Sequence, residues 1–115
     1  MIIRLKEKPE KVFDHIDMDC IWLEGHDDFG LFGYGALKFV DGRGSYHLEF
    51  TRFSMGVYES MKRDWPEFIS ICKENGCKVL SVAPTGDVDL KQWTKLIKLF
   101  GFPEPKLIPI SEMKI

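Results

Sequence analysis

The residues of this chain that could do chemistry are few and spread out. His47 and Glu49 stand two apart in the alternating run Ser45 to Phe53, so they share a strand face and could pass a proton between them. Nothing else in the sequence completes a hydrolytic triad, and a hydrogen-bonded surface pair is the simpler account. His26-Asp27-Asp28 offers metal-type ligands, but three adjacent side chains do not converge on one ion, and the triplet reads as a polar turn. Cys20, Cys72 and Cys77 are odd in number and lack a C-x-x-C spacing, which argues against a disulfide framework and a zinc site and for a reducing compartment. Arg52, Lys62 and Arg63 flank a short stretch containing Ser54 and Gly56. They meet phosphate oxygens there or form, with Glu59 and Asp64, a solvated face.

One domain, residues 1–115, must position these groups, and a chain of 115 residues buries roughly two-thirds of its unfolded surface. The hydrophobic fraction of 44%, the charged fraction of 30% and the net charge of -2 describe an ordinary globular protein. Basic residues do not dominate, so no nucleic-acid partner is expected. The start Met1-Ile2-Ile3-Arg4-Leu5-Lys6 soon becomes charged, and nowhere do about 18 apolar residues run together. Neither a signal peptide nor a membrane partner is expected, and the setting is cytoplasmic.

Ile2 to Leu5 reads as an edge strand, and Lys8-Pro9-Glu10-Lys11 as the start of a helical turn with Val12, Phe13 and Ile16 on one face. Asp19 to Gly25 is a strand covered on both sides. Phe29 to Val40 and Ser45 to Phe53 pair as a hairpin around Asp41-Gly42-Arg43-Gly44, with Tyr46, Leu48 and Phe50 facing the core. Glycines 30, 33 and 35 mark a bulge or a close approach to the backbone.

Val57, Met61, Trp65, Phe68, Ile69 and Cys72 recur at helical spacing up to Asn75-Gly76. A capping box at Asp64 and Glu67, with Pro66 in a first turn, predicts that the firm helix begins near Trp65. Cys77 to Val82 is a buried strand, Asp89 with Gln92 a second capping box, and Leu90, Trp93, Leu96, Ile97 and Phe100 a helix that Gly101 ends. Lys106 to Met113 supplies a last strand, and Trp22, Trp65 and Trp93 are core. The fold class is α+β with a mixed central sheet: an antiparallel meander continuing into β-α-β-α-β. Helical crossovers after Phe53 and Val82 call for parallel or near-parallel returns. Strand 45 to 53 then has an antiparallel neighbour on one side and a parallel one on the other, and the two parallel strands diverge to leave a cleft.

This order of elements resembles the GNAT family of N-acetyltransferases. Gly76-Cys77-Lys78-Val79 looks like that family's helix-to-strand junction. Trp93-Thr94-Lys95-Leu96-Ile97-Lys98-Leu99-Phe100-Gly101-Phe102 looks like its last helix and Gly-Phe exit. The resemblance implies a single GNAT-like domain, acetyl-CoA as cofactor in the cleft between strands 45 to 53 and 77 to 82, and acetyl transfer to an amine. Short, motif-poor members resemble those carried by bacteriophages, some of them virion or host-takeover components. That implies an alternative: a catalytically inactive member that binds a protein partner.

The family's pyrophosphate turn, Q/R-x-x-G-x-G/A, falls here on Phe53-Ser54-Met55-Gly56-Val57-Tyr58, with Phe53 in the place of Gln or Arg and Tyr58 in that of the second glycine, or, counted back from Gly76, on Val57 to Lys62, which has no glycine; neither register completes the motif. The resemblance implies Arg52, Phe53, Ser54, Gly56, Lys62 and Arg63 as cofactor-binding residues. It implies Glu49 as general base, and Tyr58 as substitute for the family's acidic tyrosine, whose place Ile97 occupies. Phe29, Phe32 and Tyr34 are a candidate homodimer or partner surface.

Overall fold

Alternating residues in the first half of the chain become four strands, β1 (Ile2–Leu5), β2 (Ile21–Asp27), β3 (Gly30–Val40) and β4 (Arg43–Phe50), joined as an antiparallel meander. The computed structural model describes residues 1–13, 19–82, 90–102 and 111–115. Asp41 and Gly42 both take positive φ, 51° and 80°, the backbone that lets a two-residue turn follow strand twist. The hairpin therefore closes on the Asp-Gly pair, and Arg43 and Gly44 belong to β4. His26 and Asp27, expected in a turn, are strand residues behind a bulge at Gly25/His26. The turn is Asp28-Phe29, where the Phe29 amide donates to Asp27 Oδ1 at 2.9 Å.

The helical turn expected from Lys8 does not form through residue 13: Lys11 and Phe13 sit at φ of 59° and 55°. Burial of the Phe13 ring against Trp22, with centroids 6.1 Å apart, overrides the local preference. Ile16 lies outside the described residues.

Helix α1 (Met55–Glu74) begins ten residues before Trp65 and is capped by Ser54, whose Oγ accepts the Val57 amide at 3.2 Å. Asp64 is no cap. It sits mid-helix, 2.5 Å from the Met1 ammonium, and Pro66 lies inside the helix. Pro66 and Lys62 both lie on the exposed side of the helix, which continues through the proline without the bond that its ring removes. At the far end the Cys77 amide donates to Cys72 O and the Gly76 amide to Lys73 O, both at 3.0 Å, with Gly76 at φ 72°. This paired closure requires a left-handed residue, and glycine takes it without a Cβ penalty.

After β5 (Val79–Val82), helix α2 (Leu90–Leu99) closes in the same way. The Phe102 amide donates to Ile97 O and the Gly101 amide to Lys98 O, both at 3.1 Å. In each closure the residue after the glycine is buried beside the residue five before it: Cys77 with Cys72, Phe102 with Ile97. Asp89, expected to cap α2, lies outside the described residues.

The sheet order is β1-β2-β3-β4-β5-β6, with β6 (Ser111–Lys114) at the edge. β5 runs parallel to β4 as expected, but β6 is antiparallel to β5. The Ile115 amide donates to Lys78 O at 2.8 Å, so the last strand ends where β5 begins.

The sheet has two unlike faces. On the first, Leu23, Leu37, Leu80 and Val82 pack with Phe68, Cys72, Ile97 and Phe102, and Trp65 stacks on Phe68 at 4.9 Å and meets Phe100 at 4.9 Å. Glycines make the fit possible: a Cβ at Gly35 would lie 2.8 Å from the Tyr46 ring, and one at Gly44 would lie 2.9 Å from Cys77 Sγ. On the second face a smaller cluster of Phe13, Trp22 and Ala36 is joined by Leu5, Val12, Cys20 and Tyr34, and Glu24, His47 and Glu49 stand on the same face. No helix among the described residues is long and apolar enough to cross a membrane.

Candidate active site

The parallel junction of the sheet lies between β4 and β5. Arg43 to Tyr46 register with Val79 to Val82, and β4 continues to Phe50 beyond the last registered pair. Four residues later the chain turns into α1. At that turn the Tyr58 amide bonds Ser54 O at 3.1 Å and the Val57 amide bonds Ser54 Oγ, which leaves the amides of Met55 and Gly56 directed out of the helix start. The first turn holds no acidic residue, and a Cβ at Gly56 would meet nothing nearer than Ser54 Oγ at 3.7 Å. An anion can reach these amides along the helix dipole.

The cations around this turn are unequal. Arg52 is held by Asp27 through both guanidinium ends, Nη1 to Oδ2 at 2.9 Å and Nη2 to Oδ1, and it donates to Leu31 O at 3.2 Å and Gly30 O at 3.0 Å. The Arg52 hydrogen bonds hold the Asp27 carboxyl down at about 2, and the Asp27 carboxylate raises Arg52 in return. Arg52 thus fastens the end of β4 to the β2–β3 turn. The exposed Arg63 donates to Ser60 Oγ at 3.0 Å, and Lys62 points to solvent one helical step earlier. Phe53 is exposed and sets its ring edge-on to Phe50 at 5.0 Å.

Glu49 and Tyr58 are on opposite sides of the sheet. Tyr58 lies on α1, its ring 5.7 Å from Phe100 in an edge contact. Ile97, where the family pattern has tyrosine, is 5% exposed and completes the closure of α2. Glu49 alternates with the core-facing Leu48 and Phe50 and emerges, exposed, on the polar face. There it stands directly across from Tyr34, which on its other side stands across from Glu24. Glu24 Oε1 pairs with His26 Nε2 at 3.1 Å. Glu24 was not singled out from sequence, His26 was read there as part of a polar turn, and Tyr34 as part of a partner surface. Their signal is the shared alternation of three strands, visible only once the register is known.

Other features are structural. An apolar cavity of about 60 Å³ lies under α1, lined by Leu23, Gly35, Tyr46, Leu48, Trp65 and Phe68. Ligand pockets are several times larger, on the order of 300 Å³ or more. Burial raises the Tyr46 phenol and pushes the Cys72 thiol up to about 12. All three cysteines are free, and the described residues hold no group of three or more His, Cys, Asp or Glu suited to a metal ion. Phe32, taken from sequence as part of an exposed surface, is buried, its ring covering Gly25. Phe29 is 90% exposed.

This mixed α/β domain, an antiparallel meander passing through a parallel β4–α1–β5 unit, has a GNAT-like fold. A solved structure of the PaiA N-acetyltransferase from Thermoplasma acidophilum in complex with coenzyme A matches it with a TM-score of 0.56 and 18% sequence identity, over 86% of this chain. The chain spans 63% of the length of that protein. No protein-family model matches the sequence, and no curated protein does.

Proposed function

We propose that the protein is a GNAT-like N-acyltransferase that moves an acetyl group from acetyl-CoA to an amine. One observation carries this reading: the sheet's parallel junction leads directly into a Ser54-capped helix start with two outward amides and no competing carboxylate. The local residues fit a pyrophosphate. The Met55 and Gly56 amides would hold it, Ser54 would keep the helix start in shape, and Lys62 and Arg63 would add positive charge from about two turns along the helix. Arg52 would act at one remove, by fixing the end of β4 through Asp27.

Coenzyme A supplies an activated thioester. The chain supplies the proton acceptor: Glu49, exposed on the polar face, takes a proton from the incoming ammonium so that a neutral amine attacks. Tyr58 packs on Phe100 on the other side of the sheet, and in this reading it forms part of the wall beside α2. A cytoplasmic, acetyl-CoA-rich setting suits the reaction.

Calorimetric titration with acetyl-CoA, paired with a thermal-shift assay, tests the proposal. The expected result is saturable heat and a raised Tm. No heat and no shift at millimolar ligand would leave a second reading, a catalytically inactive protein-binding member of the fold, such as a virion or host-takeover component. That reading is favoured by the buried Ile97 and by the exposed Phe29, Phe53 and Met55, an apolar surface suited to a partner or a second copy.

A further inference from the structure

Cys72 and Cys77 are the two side chains that the closure of α1 brings together. The Cys77 amide donates to Cys72 O at 3.0 Å. With ordinary bond lengths this hydrogen bond keeps the two Cα atoms within about 7 Å of each other, and a disulfide spans about 4.4 to 6.8 Å between Cα atoms. Both residues belong to one buried cluster, Cys72 at 0% exposure and Cys77 at 5%. Burial raises both thiols, Cys72 to about 12, and a hydrogen bond between the two side chains raises Cys72 further while easing Cys77 back. Cys77 Sγ is held from two more sides: it donates to Val79 O at 3.3 Å, and it fills the space beside Gly44, where a Cβ would lie 2.9 Å from the sulfur. In the matching closure of α2 the same two places hold Ile97 and Phe102, an apolar contact with nothing to join. Cys20 packs against the cluster on the opposite face of the sheet and is no rival partner.

We infer that Cys72 and Cys77 form an oxidation site, at which hydrogen peroxide converts the resting dithiol into an intramolecular disulfide that fastens the end of α1 to the start of β5 without rearranging either. The inference stands independently of the transferase reading. All three cysteines are free at rest. Cys77, the more exposed of the pair and the easier to ionise, attacks the peroxide: its sulfur takes one oxygen as the O–O bond breaks, and the other oxygen leaves as water. The Cys72 sulfur then attacks the sulfenic Cys77 sulfur, the S–S bond forms, and the hydroxyl departs with the Cys72 proton as a second water. Two thiols are oxidised and one peroxide is reduced to two waters. Burial keeps both sulfurs protonated most of the time, so the site answers sustained oxidant rather than a brief pulse.

The test incubates the folded full chain with hydrogen peroxide, blocks the remaining thiols with iodoacetamide and follows trypsin digestion by mass spectrometry. Lys73 lies between the two cysteines, so cleavage there leaves the new bond joining the peptide Asp64 to Lys73 to the peptide Glu74 to Lys78. That linked pair is expected, and the Cys20→Ser variant should give it equally. The oxidised chain should melt about 5 °C above the same sample after dithiothreitol, because a closed loop restrains the unfolded chain. Absence of the linked pair from the folded chain, sulfinic acid at Cys77 beside a free Cys72, or a link through Cys20 overturns the site. A linked chain that melts below its reduced form overturns the claim that the native closure already holds the two sulfurs ready, whereas one that melts level with it or above keeps that claim.

Discussion

The two faces of the sheet are built by opposite rules. The helix-covered face is crowded to the point that Gly33, Gly35 and Gly44 have no room for a side chain, and its aromatic residues interlock across α1, α2 and β4. The other face carries Glu24, Tyr34, His47 and Glu49 along the same strands at the alternate positions, with a small apolar cluster to one side. A period-two chain thus assigns packing to one set of residues and polar, ionisable groups to their immediate neighbours. Changes on one face should leave the property of the other nearly untouched.

The sharpest way to break this contrast is Glu49→Gln. On the proposed function, loss of this carboxylate should lower kcat for thiol release from acetyl-CoA by about a hundredfold or more, with the urea midpoint unchanged. A large loss of stability instead would make Glu49 a packing residue. Leu80→Ala is the mirror experiment: Leu80 is 0% exposed, and its truncation should cost about 3 kcal/mol in urea unfolding.

Gly33→Ala should cost about 2 kcal/mol, because the new methyl would stand 2.7 Å from the Glu49 carbonyl and 3.3 Å from the Phe50 Cα, both backbone atoms. It is also the one substitution expected to cross between the faces, since spreading β3 from β4 moves Glu49 and should raise the KM for the amine. Ser54→Ala should cost about 1 kcal/mol through the lost cap at α1, read from the same denaturation curves.

The smallest effect concerns the Asp27–Arg52 clasp. The Asp27 pKa is depressed to about 2 from an ordinary 3.8, so its contribution is complete above the ordinary value and fades as pH falls from there through 2. Unfolding followed between pH 5 and 2 should show a slope that Asp27→Asn reduces.

Much of the fold was legible because local rules and packing agreed. Asp41-Gly42 marked its own turn, Tyr46, Leu48 and Phe50 alternated toward the core, and Gly76 and Gly101 each closed a helix. The misreadings came where two local signals competed. Asp64, Pro66 and Glu67 imitate a helix start, but the helix had already begun at Ser54 and its aromatic stripe carried it past the proline. The antiparallel direction of β6 depends on where the chain arrives after α2, which periodicity does not encode. The site was half legible. Glu49 could be placed on a face from alternation alone, whereas its relation to Tyr34 and Glu24 is a matter of register between strands, and the capture of Arg52 joins residues 25 apart in sequence.

The glycine closure between α1 and β5 has one more consequence. It seals two sulfurs, Cys72 and Cys77, where neither ionises readily, while Cys20 is only half-covered on the far side. A thiol-reactive dye should therefore modify one site promptly and the other two only as fast as that corner of the molecule breathes open, so the chain carries its own stopwatch for local unfolding.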